Sequence, residues 1–319
     1  MKKPLVLAVD IGGTQFSLAL AEPDGRVVRR SVGATDRTGG AQWMIASLLE
    51  KARGLIKASG GRVKACGIGF GGPVDFAGQR VLSSTHVAGW EDLGLSTLIE
   101  QELHIPAIVE NDANVGALGE YVFGAGQGSR YMVYYTISTG IGGGIIIDGQ
   151  IYRGGDGNAG EFGHGPILVD GPLCDCGNRG CLESLCSGKS IGDRAQEAVA
   201  MHSRKGAVLR GMAGPGNAIT ARIVFTAARA GDKLAQEIVE QTCEFLGMSM
   251  ATTMNSLAPD MIVVGGGVSK AGKVLLNPLV VQTRRFLMPV HRPHLKIRLA
   301  RFSSRSVIMG AVALGRSLL

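Results

Sequence analysis

Between Glu161 and Glu183 the chain places one imidazole and three thiols: His164, Cys174, Cys176 and Cys181. One His with three Cys completes a tetrahedral shell for Zn²⁺ and leaves no position for water, so the chemistry implied is structural. Gly177 and Gly180 lie among the thiols, where a tight metal-wrapped turn needs residues that tolerate positive φ. A metal that folds this segment also fixes the flanking carboxylates, Glu161 and Glu183, and the run reads as a substrate-orienting loop pinned by zinc. Disulfides are the competing reading. No secretory context accompanies the cysteines, and free thiols beside an upstream His suit a reduced compartment better. Cys66, Cys186 and Cys243 read as buried small hydrophobes.

Three glycine clusters end apolar runs: Asp10-Ile-Gly-Gly-Thr14, Thr139–Gly144 and Gly265–Gly267. Such turns present backbone N–H groups to phosphate oxygens, and ligands in α/β folds gather at the carboxyl ends of strands. A nucleoside triphosphate held between two halves accounts for all three. The G-x-G-x-x-G match at Gly155–Gly160 lacks a strand-then-helix context. The near P-loop at Gly267–Lys273 has Val274 where a Mg²⁺-binding hydroxyl is needed, so neither motif is adopted.

The elements that must carry these residues alternate. Leu5–Val9, Phe16–Ala21 and Val27–Val32 read as a β-meander, and residues 41–58 show helical apolar spacing. Ala65–Phe70 and Ala107–Val109 read as strands, Leu95–Leu103 as a helix, and Glu110–Asn114 opens a helix to about Phe123. The opening pattern recurs at Tyr131–Ile137, a Gly-rich turn through Gly144, and Ile145–Ile147, which suggests two related halves. Helices over 219–257 with a break near Gly231, strand Met261–Val264, a helix, strand Lys296–Ala300 and helix Val307–Leu318 complete an α/β pattern.

At 319 residues and 45% hydrophobic, the chain can bury a large core in two domains. Its 49 glycines, roughly twice the average share, cluster in apolar surroundings and point to close backbone–ligand approach at several places. The net charge is +7, but Lys and Arg are scattered with a modest excess after residue 284 and no aromatic-interleaved stripe. That pattern suits a solvated surface and an anionic substrate, not nucleic acid. The N-terminal apolar run is short and stops at Asp10, so it reads as a strand and not an export signal; no stretch is long enough to cross a membrane. A soluble, cytoplasmic protein is expected.

Taken together, the motifs resemble the ROK family of bacterial sugar kinases and sugar-sensing repressors. The likeness runs from residue 5 to the end and rests on Asp10–Thr14, Gly67–Asp75, Glu110–Asn114, Thr139–Gly143, Glu161–His164, Cys174–Glu183 and Pro259 with Gly265–Val268. The resemblance implies an actin/hexokinase-like (ribonuclease H-like) α/β fold with an interdomain cleft. Residues 1–118 plus 301–319 would form a smaller domain, and 119–300 a larger one with the zinc loop.

It also implies roles. Asp112 would be the general base; its alternative is a helix cap. Asn111, Glu161, His164 and Glu183 would bind the sugar, with His164 also on zinc. Asp10 would help hold Mg²⁺. Gly12, Gly13, Thr14, Thr139, Gly140 and Gly142 would hold phosphates, and Gly265, Gly266, Gly267 and Val268 would line the adenosine pocket. Two departures stand out: Gln15 replaces a frequent Lys, and His86 stands about where an Asn that reaches the sugar is expected, its alternative being a surface residue. The implied activity is ATP-dependent phosphorylation of a hexose, glucose to glucose 6-phosphate first. The alternatives are an N-acetylmannosamine, N-acetylglucosamine or other hexose kinase, or a non-catalytic sugar-sensing regulator. The repressors carry a helix-turn-helix domain first, for which the nine residues before Asp10 leave no room. Family likeness implies a homodimer.

Overall fold

The computed structural model describes residues 3–36, 38–84, 87–201, 205–214 and 216–319. The chain packs as two compact units. The first comprises residues 1–128, 144–159 and 305–319; the second comprises residues 129–143 and 160–304.

In the first unit, strands β1 (Leu5–Ile11), β2 (Gln15–Ala21) and β3 (Val27–Ala34) form the expected antiparallel meander. Helix α1 (Gly40–Ser59) leads to β4 (Val63–Phe70), a small hairpin of β5 (Val74–Asp75) and β6 (Arg80–Val81), helix α2 (Leu95–Leu103), β7 (Ala107–Asn111) and α3 (Asp112–Phe123). The sheet order is β3-β2-β1-β4-β7, with β4 parallel to both β1 and β7. Alternation along β1 sends Leu5, Leu7, Val9 and Ile11 into one core with Met44, Leu48 and Ala52 of α1. Ala8, Ala19 and Ala21 face the other way, where the C-terminal helix α10 (Ser306–Arg316) lays Ile308, Ala311 and Val312.

Small residues on that face let α10 come close. A Cβ on Gly67 of β4 would fall 2.0 Å from the Ala311 carbonyl oxygen. A Cβ on Gly310 would fall 1.7 Å from the Val115 carbonyl oxygen of α3. Where the helices cross, the buried Glu120 accepts a hydrogen bond from Ser306 Oγ at 2.7 Å.

The second sheet repeats the first in order: β10-β9-β8-β11-β12, third-second-first-fourth-fifth. Its strands are β8 (Tyr131–Ile137), β9 (Ile141–Ile147), β10 (Gln150–Tyr152), β11 (Met261–Gly265) and β12 (Ile297–Leu299). The repetition bears out the two related halves. Helices α4 (Leu182–Cys186), α5 (Gly188–Met201), α6 (Ala207–Ala213), α7 (Ala221–Arg229), α8 (Lys233–Leu257) and α9 (Lys273–Phe286) belong to the second unit. The break between α7 and α8 is made by Asp232, whose side chain caps α8 by accepting from the Ala235 N–H at 3.1 Å. Among the described residues no helix is long and apolar enough to cross a membrane.

The glycine-rich turn after β8 differs from expectation. It covers only Ser138–Gly140, closed by the Ser138 N–H on the Gly140 carbonyl at 2.8 Å, and β9 already runs from Ile141. Gly143 and Gly144 are strand residues pressed by neighbours. Their Cβ atoms would fall 2.2 Å from the Phe162 ring and 2.7 Å from Ala117 Cβ respectively. Residues 144–159, placed by sequence reasoning in the larger domain, pack with the first unit, where Arg153 pairs with Glu110 of β7.

Candidate functional site

In the first unit the site residues gather where β1, β4 and β7 end. Asp10 lies on β1 opposite Gly69 of β4. The turn beyond it is held by the Gly12 N–H on the Gln15 carbonyl (3.1 Å) and by Thr35 Oγ1 donating to the Gly12 carbonyl (2.9 Å). Gly13 and Thr14 complete this turn, with Thr14 exposed. The Gly71 N–H donates to the Ile11 carbonyl at 2.9 Å, and a Cβ on Gly71 would stand 3.4 Å from Asp112 Oδ2. The chain after β4 therefore lies against both the end of β1 and the start of α3.

Asn111, not Asp112, caps α3. Its Oδ1 accepts the N–H groups of Ala113 (3.0 Å) and Asn114 (3.2 Å), and its Nδ2 donates to the Gly72 carbonyl at 3.1 Å. Asp112 is the first residue inside the helix, at the positive end of its dipole. Burial raises the Asp10 carboxyl from its ordinary value to about 7; the Asp112 carboxylate adds to the rise, and Arg30 opposes it. Two carboxylates that repel one another in a buried setting are a donor set that fits a divalent cation. His86 lies outside the described residues. Trp90, a little further on, is buried edge-on to Phe70 with ring centroids 4.9 Å apart.

In the second unit, His164, Cys174, Cys176 and Cys181 converge, their ligand atoms all within 4.8 Å of one another. His164 Nδ1 is 3.6 Å from Cys174 Sγ, and Cys176 Sγ is 3.6 Å from Cys181 Sγ. Tetrahedral zinc with Zn–S about 2.3 Å and Zn–N about 2.0 Å sets edges of about 3.8 Å for S···S and about 3.5 Å for S···N. The cluster fits that ion. Gly180, at φ +65, leaves no room for a side chain: its Cβ would fall 1.6 Å from the Leu168 carbonyl oxygen. The short 3₁₀ turn Phe162–His164 is anchored by Phe162, stacked on Tyr135 of β8 at 4.8 Å.

With Nδ1 toward the thiols, the other ring nitrogen of His164, Nε2, stands 3.8 Å from Glu161 Oε2. Burial raises the Glu161 carboxyl; His164 pulls it down, and Glu183 pushes it up. Glu161, His164 and Glu183 thus share one neighbourhood. Glu183 Oε2 also accepts the Ile141 N–H at 2.6 Å, and a Cβ on Gly140 would stand 2.4 Å from that oxygen.

Beside the same turn lies a cavity of about 520 Å³, bordered by Thr139, Gly267 and Val268. Gly265 and Gly266 serve differently. Their Cβ atoms would fall 2.2 Å from the Tyr134 hydroxyl and 2.3 Å from the Ile137 carbonyl oxygen, so they let β11 pass close to β8. Gly142 lies within β9. Sequence reasoning missed Phe225, a floor residue, and the cations Lys189, Arg222, Arg229 and Lys270 around the rim. A usable signal was present: Arg222 and Arg229 are seven apart on α7, two turns along one helix face.

A family model described as ROK family matches residues 6–317. A glucokinase of Halalkalibacterium halodurans is 34% identical over 311 residues, covering 95% of this chain and 92% of that one. The solved ROK family glucokinase from Streptomyces griseus, in complex with glucose and AMPPNP, superposes with a TM-score of 0.85 at 34% identity, over 98% of this chain and 99% of that one. A ROK family transcriptional regulator, a homolog of the E. coli MLC protein, gives 0.86 at 28% identity over 98% of this chain and 78% of its own. The fold is the two-domain actin/hexokinase-like architecture that the motifs implied, and with a family match over nearly its whole length this chain belongs to the ROK family.

Proposed function

We propose that this protein is an ATP-dependent sugar kinase that phosphorylates the 6-hydroxyl of a hexose, glucose first. The observation that carries the reading is its likeness, over 98% of the chain, to a glucokinase solved with glucose and AMPPNP. The residues of this chain support it. Asp112 accepts the proton of the sugar hydroxyl as the oxygen attacks the γ-phosphorus, the bond from that phosphorus to the β,γ-bridging oxygen breaks, and ADP leaves. Phosphoryl transfer asks mainly for positioning and a weakly basic acceptor, so a carboxylate suffices. Asn111 presents Asp112 and, with Glu161, Glu183 and the Nε2 of His164, binds the sugar hydroxyls. Gly12, Gly13, Thr14, Thr139, Gly140 and Gly142 lie along the phosphates. The cavity bordered by Gly267 and Val268 takes the adenosine, its 520 Å³ falling within the usual range for small-molecule sites of about 300–1,000 Å³.

His164, Cys174, Cys176 and Cys181 would hold zinc, which supplies no chemistry beyond fixing the His164 ring. Asp10 would hold Mg²⁺, which neutralises phosphate charge when bound. Gln15 lowers the positive charge near the phosphates relative to members with Lys there, and His86 tunes sugar preference. A cytoplasmic homodimer without nucleic-acid or membrane partners completes the reading.

The fold match to a transcriptional regulator keeps a second reading in view, a sugar-responsive protein without turnover. One experiment separates them: coupled ADP release by the purified protein with a panel of hexoses and N-acetylated amino sugars. Glucose should give the highest kcat/KM. Sugar binding without ADP release from any member of the panel would overturn the kinase reading.

A further inference from the structure

Glu110, the residue before the Asn111 cap, is only 1% exposed. Its Oε1 accepts the Asn111 backbone N–H at 2.9 Å and Asn114 Nδ2 at 3.2 Å. Its Oε2 accepts Arg153 Nε at 2.6 Å. The Arg153 guanidinium lies 3.5 Å from the centroid of the Phe76 ring, and its backbone is pinned by the Ala159 N–H on the Arg153 carbonyl at 3.0 Å. Burying a carboxylate is costly unless it is paired and hydrogen-bonded, and here one arginine is the partner. Nothing in the reaction as described uses either residue.

We propose that Glu110 and Arg153 form a positioning pair for Asp112. The inference rests on Asp112 being the base. Asn111 is held at three points: its N–H by Glu110, its Oδ1 by the first amides of α3, and its Nδ2 by the Gly72 carbonyl. Asp112 is the next residue, so the direction of its carboxylate follows from the orientation of the peptide that Glu110 holds. With Arg153 removed, the Glu110 carboxylate is left buried without its charged partner and turns toward water, releasing the Asn111 N–H. That loosens the Asn111 peptide and misaims Asp112 without touching the nucleotide site. An amide at position 110 with an apolar residue at 153 removes the stranded charge, and the amide oxygen still accepts the Asn111 N–H.

The test measures kcat, KM for ATP and melting temperature on the full chain for Arg153→Met, Arg153→Lys, the double variant Glu110→Gln/Arg153→Met, and Asp112→Asn. Misplacing a reacting group by about 1 Å costs up to about 100-fold, so Arg153→Met should lose about 10–100-fold in kcat with KM for ATP within about 2-fold. The double variant should recover kcat to within about 5-fold of the parent, since a single neutral hydrogen bond differs from a charged one by only a modest factor. Arg153→Lys keeps the charge and folds even if Arg153→Met does not. It loses the Nε contact and the planar stacking, so its kcat should fall below the parent's. A lower melting temperature with unchanged kcat per folded molecule in Arg153→Met or Arg153→Lys, or a double variant no faster than Arg153→Met, overturns the proposal. Full turnover in Asp112→Asn overturns the reading beneath it, whereas an inactive Asp112→Asn beside a fully active Arg153→Met rejects the pair alone.

Discussion

Glu183 accepts the backbone N–H of Ile141 at 2.6 Å, so a side chain two residues beyond the last thiol of the His/Cys cluster holds the first strand residue after the Ser138–Gly140 turn. A carboxylate expected to meet the sugar is thereby also tied to the backbone expected to meet phosphate. Glu183→Ala should raise KM for both substrates. Losing one hydrogen bond of about 0.5–1.5 kcal/mol predicts a change of roughly 2–10-fold toward ATP. Glu183→Gln keeps an acceptor for Ile141 and should leave KM for ATP nearly unchanged while KM for sugar rises. Initial rates with each substrate varied in turn decide this; an alanine variant affected only toward sugar would show that the bond to Ile141 carries no function.

Because Asn111 fills the cap, replacing Asp112 isolates its chemistry. Asp112→Asn should lower kcat by about 10²–10⁴-fold, the usual worth of a general base. Stability should fall by no more than about 0.3–1 kcal/mol, from the lost charge at the helix N-terminus. Asn111→Ala should cost about 1 kcal/mol through the lost cap. Turnover and melting temperature measured on both variants would expose the assignment as wrong if Asp112→Asn kept full turnover.

Metal analysis of the fresh protein should find about one zinc per chain. Cys176→Ser removes one of the four converging ligands. It should lower zinc content, loosen residues 161–183 to hydrogen exchange, and raise KM for sugar more than for ATP. Metal-free protein with full sugar affinity would refute a zinc-pinned loop.

Asp10 makes stability depend on pH in a defined window. Its carboxyl is raised to about 7 in the fold from an ordinary 3.8, so between those values the folded chain holds more of this proton than the unfolded chain does. The contribution of this group to stability therefore falls as pH rises from about 4 to about 7, and its cost is fully present above that. In metal-free protein, Asp10→Asn should raise the melting temperature at pH 8 and leave it nearly unchanged at pH 4. Thermal unfolding at both pH values checks this, and equal shifts at the two would count against it.

The meanders, the helix starting near Asp112 and the convergence of His164 with three cysteines were legible because each is local: alternation, an Asx residue at a strand end, and four side chains within a short run. The cap was not, since Asn111 and Asp112 are adjacent and both are cap formers. Gly143 and Gly144 were misread because glycine marks a close neighbour as readily as a turn, and Phe162 and Ala117 are distant in sequence. Helices α4 and α6 span five and seven residues, too few for a 3.6-residue period to show. The Glu110–Arg153 pair joins residues 43 apart, and no local pattern announces it.

The crossing of α10 with α3 bears on how the chain comes to its fold. The first unit takes its sheet from early residues and its covering helix from residues 306–316, and Arg316 hydrogen-bonds the Pro23 carbonyl across 293 positions. Closing so long a span costs chain entropy before any packing returns it, so contacts of this kind form late. A polypeptide emerging from the ribosome lacks the α10 cover of the Ala8–Ala19–Ala21 face of its first sheet until residues 306–316 have been made. Residues 160–304 are synthesised in the meantime, so the half of the molecule made first is the one whose core is completed last.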